Sequence, residues 1–185
     1  MKMDIVAGSN NDEFYTPEYA IRPLLKYLET GKTVWCPFDN ERSNFVKLLR
    51  ESGLIVITSH IESGQDFFSV CEEYKNRCDY IISNPPYSRK GEVIAKLFSL
   101  RKPFAMLVGV VGLFESKERF TMFKNNTFEI MYFDKRIAYF KSFDEQKPSL
   151  NPPFSSVFVC SGILPQAIVF EELDKKQKVL NVINN

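Results

Sequence analysis

Residues 104–111 read FAMLVGVV. Nothing in that run suits water, so a strand built from it must be covered on both faces, which happens in a parallel sheet flanked by helices. Similar short apolar runs recur at Thr33–Cys36, Leu54–Thr58 and Asp79–Ser83. Helical stretches separate them: Ser43–Ser52 carries Phe45, Val46, Leu48 and Leu49 at helical spacing, and Asp66–Tyr74 and Gly91–Leu100 follow. Upstream, Thr16 reads as an N-cap and Pro17 as the first residue of a helix whose Ile21, Leu24, Leu25 and Leu28 form a stripe, with Gly31 past its end. The last third changes character, because Thr127–Phe133, Ile137–Phe140, Ser155–Cys160 and Ala167–Phe170 are strand-like with few helical signals between them. The pattern predicts an α/β fold: a mostly parallel sheet of about seven strands with an antiparallel edge and helices on both faces.

At 185 residues and 44% hydrophobic, the chain suits one domain with a sizeable core. We expect an arm over 1–13, a domain over 14–170 and a short helix or tail over 171–185. Its 24 basic and 23 acidic side chains exclude a polyelectrolyte. They are segregated, however: residues 1–83 hold 9 basic and 13 acidic groups, and residues 84–150 hold 12 basic and 7 acidic groups. Four cysteines without a CxxC pair and one histidine give no zinc site, so no metal is expected. No apolar run approaches a membrane span and the N-terminus lacks the pattern of a signal peptide, so a cytoplasmic protein away from membranes is expected.

Asn84, Pro85, Pro86 and Tyr87 directly follow the strand ending at Ser83. Ligands of open α/β sheets bind outside the carboxyl ends of strands, so these four residues stand where chemistry belongs. An amine conjugated to a ring is a poor nucleophile; an amide oxygen from Asn84 and a backbone carbonyl from Pro85 would accept its hydrogens and localise its lone pair. Pro85 and Pro86 would hold those acceptors rigid, and Tyr87 offers a flat face for a planar base. The plainer alternative is that the prolines end a strand and Tyr87 packs. Asn151-Pro152-Pro153-Phe154 repeats the pattern without a preceding strand and reads as a rigid loop.

With this motif the chain resembles the S-adenosylmethionine-dependent amino-methyltransferases, particularly the adenine-N6 group with its small phage-type members. Phe14, Tyr15, Thr16 and Pro17 resemble that family's segment against the methionine part of the cofactor. Cys36, Pro37 and Phe38 stand where it has an acid, Pro and Phe. Asp66-Phe67-Phe68 is similar to its motif whose carboxylate meets the cofactor's adenine, although Asp66 also reads as an ordinary helix N-cap. The resemblance covers about residues 12–160 and implies a Rossmann-like class I methyltransferase fold with S-adenosylmethionine as cofactor.

Two departures stand out. The loop Asp39-Asn40-Glu41-Arg42-Ser43 contains none of the glycines that let backbone approach a cofactor, so Asp39 or Glu41 is expected to supply a carboxylate and Ser43 to take part. The second strand ends in Thr58, Ser59 and His60 rather than an acid; Ser59 and His60 are candidates for the ribose or adenine, and a solvated His60 is the alternative. Downstream, Arg89, Lys90, Lys117, Arg119, Lys124, Lys135, Arg136 and Lys141 lie among aromatics in a mixture that suits a nucleic-acid strand; the alternative is that the aromatics are core and the charges a solvated face. The resemblance implies methylation of adenine N6, in DNA ahead of RNA, with loops, a homodimer or a separate partner supplying specificity; a glutamine side-chain amide of a protein would satisfy the same chemistry, and the basic half argues against it. A non-catalytic nucleic-acid-binding module is the contrasting reading.

Overall fold

The computed structural model describes residues 15–141, 147 and 154–176. The arm expected over 1–13, Phe14, and the 151–153 part of the second Asn-Pro-Pro lie outside them. Twelve elements follow in order: α1 Glu18–Leu25, β1 Thr33–Cys36, α2 Asn44–Glu51, β2 Ile55–Thr58, α3 Phe67–Tyr74, β3 Tyr80–Ser83, α4 Lys90–Leu100, β4 Phe104–Gly109, α5 Lys117–Lys124, β5 Glu129–Phe133, β6 Ser156–Ser161 and β7 Ile168–Glu171. The strands form one sheet in the order β2-β1-β3-β4-β6-β5-β7.

Strand alternation divides the core into two layers. Val34 and Cys36 of β1, Tyr80 and Ile82 of β3, and Ala105 and Leu107 of β4 face α1 and α2. Trp35, Ile81, Phe104, Met106 and Val108, the intervening residues, face α3, α4 and α5. All six residues of β4 are buried, as its sequence requires. The single reversed strand is β6, antiparallel to β4 and β5 and inside the sheet, while the outermost β7 runs parallel to β5. β6 thereby joins the parallel block to the last two strands.

Some local expectations are corrected. Pro17, not Thr16, occupies the N-cap of α1, with no side-chain cap. Pro23 inside that helix lacks the N–H that would donate to the Tyr19 carbonyl in the preceding turn; the helix ends two residues on at Leu25, and the chain continues through tight turns in which Tyr27 N–H donates to Leu24 O and Leu28 N–H to Leu25 O. Ile137–Phe140 is buried but forms no strand: the Ala138 N–H donates to the Tyr19 hydroxyl at 2.8 Å, and Phe140 makes an isolated bridge with Tyr15. β4 ends at Gly109 rather than Val111. Helix α5 was not anticipated; only Phe123 of its residues is buried, so it carries little apolar signal. Beyond β7, residues 172–176 are not helical, and Leu173 is buried.

Candidate functional site

The chain turns from β1 through α2 to β2 on one side of the sheet, and β3 lies on the other side of β1. The carboxyl ends of β1 and β3 therefore diverge into a crevice, the place where such sheets bind ligands. A cleft of about 270 Å³ opens there. Its walls include Tyr15 and Thr16, then Pro37, Phe38, Asp39, Asn40 and Ser43 after β1. His60, Ile61 and Glu62 follow β2, Asp66, Phe67 and Phe68 start α3, and Asn84, Pro85, Pro86, Arg89 and Val93 follow β3.

Asp39 is the buried acid among the residues lining this cleft. Its carboxylate accepts hydrogen bonds from the Ser43 hydroxyl at the N-cap of α2 and the Ser83 hydroxyl at the end of β3. Ser43 also caps α2 by accepting from Phe45 N–H at 3.1 Å, and Ser83 accepts from Phe38 N–H at 3.3 Å. Burial pushes the Asp39 carboxyl up to about 6, against the two hydroxyls and the nearby His60, which pull it down. Glu41 instead turns outward to pair with Arg50, which lowers its carboxyl below the ordinary value. Of the two acids expected in this loop, Asp39 is the one at the cleft.

Thr16 is held from two directions. Asn44 Nδ2 donates to its carbonyl oxygen at 2.9 Å, and Asn84 Nδ2 donates to its hydroxyl at 3.2 Å. The second bond orients the Asn84 amide beside the cleft, while Pro85 is buried and Pro86 O accepts from Arg89 N–H at 3.2 Å. At the other end, Phe67 stacks on Trp35 with centroids 5.5 Å apart and leans on Phe38 at 5.1 Å. Asp66 stands at the N-cap of α3 without capping the backbone; its carboxylate accepts from Ser69 Oγ at 3.3 Å. His60 Nδ1 accepts from Glu62 N–H at 3.3 Å.

Four expected residues lie elsewhere. Cys36 is fully buried in the core, where desolvation raises its thiol well above the ordinary value. Ser59 is buried and accepts from Trp35 Nε1 at 2.9 Å, and Pro17 is buried at the start of α1. Tyr87 begins a 3-10 turn outside the cleft wall, its ring 5.3 Å from Phe154 and edge-on to Tyr139 at 6.4 Å. Both rings approach Gly109: a Cβ there would stand 2.9 Å from Phe154 and 3.2 Å from Tyr87. Sequence reading also missed Ile61, Glu62, Val93 and the placement of Arg89, whose guanidinium lies 4.3 Å over the Phe68 ring. Glu62 lies in the 3-10 turn Ile61–Ser63 that follows β2, and its only sequence signal is an acid two positions beyond His60.

The chain is similar over 95% of its length to a modification subunit attributed to a type I restriction enzyme of Vibrio vulnificus, with a TM-score of 0.57 at 11% identity. The likeness is one of fold: a single Rossmann-like α/β sheet with helices on both faces. This chain spans half the length of that subunit. A release-factor-specific protein-(glutamine-N5) methyltransferase from Alicyclobacillus acidocaldarius matches 77% of the chain and is itself covered over 87%, with a TM-score of 0.44 at 18% identity. No family model and no curated protein sequence matches. Among the described residues, no helix is long and apolar enough to cross a membrane.

Proposed function

We propose that this protein transfers a methyl group from S-adenosylmethionine to an exocyclic amine, adenine N6 of a nucleic acid, with DNA ahead of RNA. The observation that carries the reading is that Asn84 and Pro85 line the same cleft as Asp39, His60, Glu62 and Asp66. A cleft acidic at several points and faced by the rings of Phe38, Phe67 and Phe68 fits a ligand with cationic groups at one end and a flat aminopurine at the other. Asp39 would face the charged methionine portion, with Tyr15 and Thr16 beside it. Asp66, Ile61, Glu62 and His60 would hold the adenosine portion, which supplies at Glu62 the carboxylate missing from the end of β2. Bound there, S-adenosylmethionine supplies an electrophilic methyl group on its sulfonium.

The chain's own part is positioning. The Asn84 amide, oriented by Thr16, and the Pro85 carbonyl accept the two hydrogens of the amine and direct its lone pair at the methyl group. Tyr87 and Phe154, packed on each other just outside the cleft wall, would offer aromatic surface to a base approaching Asn84. The likeness to a restriction enzyme's modification subunit supports placing DNA ahead of RNA. Specificity would come from loops, a second copy or a separate partner.

Calorimetric titration with S-adenosylmethionine, then incubation of labelled cofactor with unmodified DNA and RNA oligonucleotides, tests the reading. We expect micromolar binding and label on adenine. Asn84→Ala should cut transfer by about 10²-fold or more while leaving cofactor affinity within severalfold. Absence of cofactor binding, even with oligonucleotide present, would make the non-catalytic module the better description.

A further inference from the structure

Near Gly109, which the Tyr87 ring also approaches, two cations lie together, and among the described residues neither makes an ion pair with a carboxylate. Lys90, at the start of α4, donates from Nζ to the carbonyl oxygens of Gly109 at 3.2 Å and Val111 at 2.5 Å. Arg119, on α5, packs its aliphatic stem against Gly91, where an added Cβ would lie 3.4 Å from its Cδ. Its Nη2 reaches to 3.8 Å from the equivalent point on Gly112, whose φ of +69° suits glycine. Glycines 91 and 112 thus leave a slot for the guanidinium.

Arg119 Nε is buried and has no hydrogen-bond partner among the described residues. The acids nearby are Glu115, whose Oε2 is 3.9 Å from the Gly112 point, and Glu118, which turns to the N-terminal backbone of its own helix and Ser116. Neither makes an ion pair of 4.0 Å or less with Arg119 or Lys90 among the described residues. Burial lowers the Lys90 ammonium, and the adjacent Arg119 charge lowers it further. Two other basic residues read as a nucleic-acid face are engaged with acids: Arg89 pairs with Glu92 at 2.9 Å and Lys135 with Asp134 at 2.8 Å. A guanidinium with a desolvated, unmatched donor and a second cation behind it is complementary to an anion with several acceptor oxygens. Exposed Phe120 stands next to it on α5, and exposed Phe114 and Val111 precede it, so the surroundings suit a chain of alternating phosphates and bases.

We propose that Arg119, backed by Lys90, seats one phosphodiester group of the nucleic-acid strand whose base is presented at Asn84. This rests on the nucleic-acid reading above and adds the element that grips the strand: α5 together with the loop from Val110 to Ser116. Lys90 stabilises the strand end through its two carbonyls, and Arg119 makes the phosphate contact.

Fluorescence anisotropy with labelled single-stranded and duplex oligonucleotides, titrated between about 50 and 200 mM salt, tests it. Arg119→Gln should weaken binding about tenfold and reduce the salt slope by about 0.7 on single strands or about 0.9 on duplex. Arg119→Lys should keep the slope and lose only the bidentate part of the affinity, and S-adenosylmethionine affinity should stay constant in both. A second measurement needs no variant: a single neutral methylphosphonate linkage walked along the oligonucleotide should weaken wild-type binding at one position beside the target base, and Arg119→Gln should be insensitive there. Wild-type binding indifferent to every linkage, or a slope unchanged in Arg119→Gln, would overturn the assignment. Wild-type protein that binds cofactor and no oligonucleotide would overturn the nucleic-acid reading itself, and Arg119's role with it.

Discussion

Replacing Asp39 by Asn isolates the cost of holding a carboxylate in a desolvated place. The ordinary carboxyl value is 3.8 and the folded one is about 6. The folded state therefore keeps a proton over a window in which the unfolded chain has released it. Stability contributed by this group is complete below about pH 4 and is lost as pH rises to about 6; at 1.36 kcal/mol per pH unit the loss is about 3 kcal/mol. Asn is nearly isosteric, and the Ser43 and Ser83 hydroxyls can rotate to suit an amide. Whatever constant the substitution itself adds, the stability of Asp39→Asn minus that of wild type should rise by about 3 kcal/mol between about pH 3 and pH 7, most of it between pH 4 and 6, and level off on either side. The lowered carboxyls elsewhere, such as Glu41 and Asp134, titrate equally in both proteins and cancel. Urea unfolding followed by the fluorescence of Trp35, the single tryptophan and fully buried, gives the two curves. An equal difference at pH 4 and pH 7 would refute the reasoning.

Two further substitutions probe the frame of the site. Gly109→Ala places a methyl group against the Phe154 and Tyr87 rings and should cost about 1–3 kcal/mol by overpacking, seen as a lowered melting temperature; an unchanged transition would show that the rings yield freely. Glu129 accepts from the backbone N–H groups of Gly162, Ile163 and Leu164 at 3.0, 3.3 and 3.3 Å, so Glu129→Ala should cost about 3 kcal/mol or more in denaturant unfolding, with Glu129→Gln recovering part of it.

The sheet could be read from the sequence because its strands are apolar on both faces: β1, β3 and β4 were found within two residues at each end. Elements whose order depends on partners could not. Ile137–Phe140 looks like a strand, yet its backbone is taken by Tyr19 and Tyr15, far away in sequence. α5 has one buried residue and so no stripe to detect. The cleft followed the same division. Residues at strand ends, such as Asp39 and Asn84, were placed by counting from the strand, whereas Ile61 and Glu62 reach the cleft through a turn whose course a residue pattern does not encode. Cys36 and Ser59 show the converse, since a strand-end position does not say which way the side chain points.

The reversed strand β6 has a consequence for how the polypeptide is made. β4 pairs with it along all six residues, from Phe104 opposite Ser161 to Gly109 opposite Ser156. A ribosome delivers β4 long before Ser156 emerges, and in that interval a wholly apolar strand has one edge unpaired, the condition in which chains associate with one another. Translation halted between residues 110 and 155 leaves that edge without its partner strand, so release of such a fragment exposes a template for aggregation.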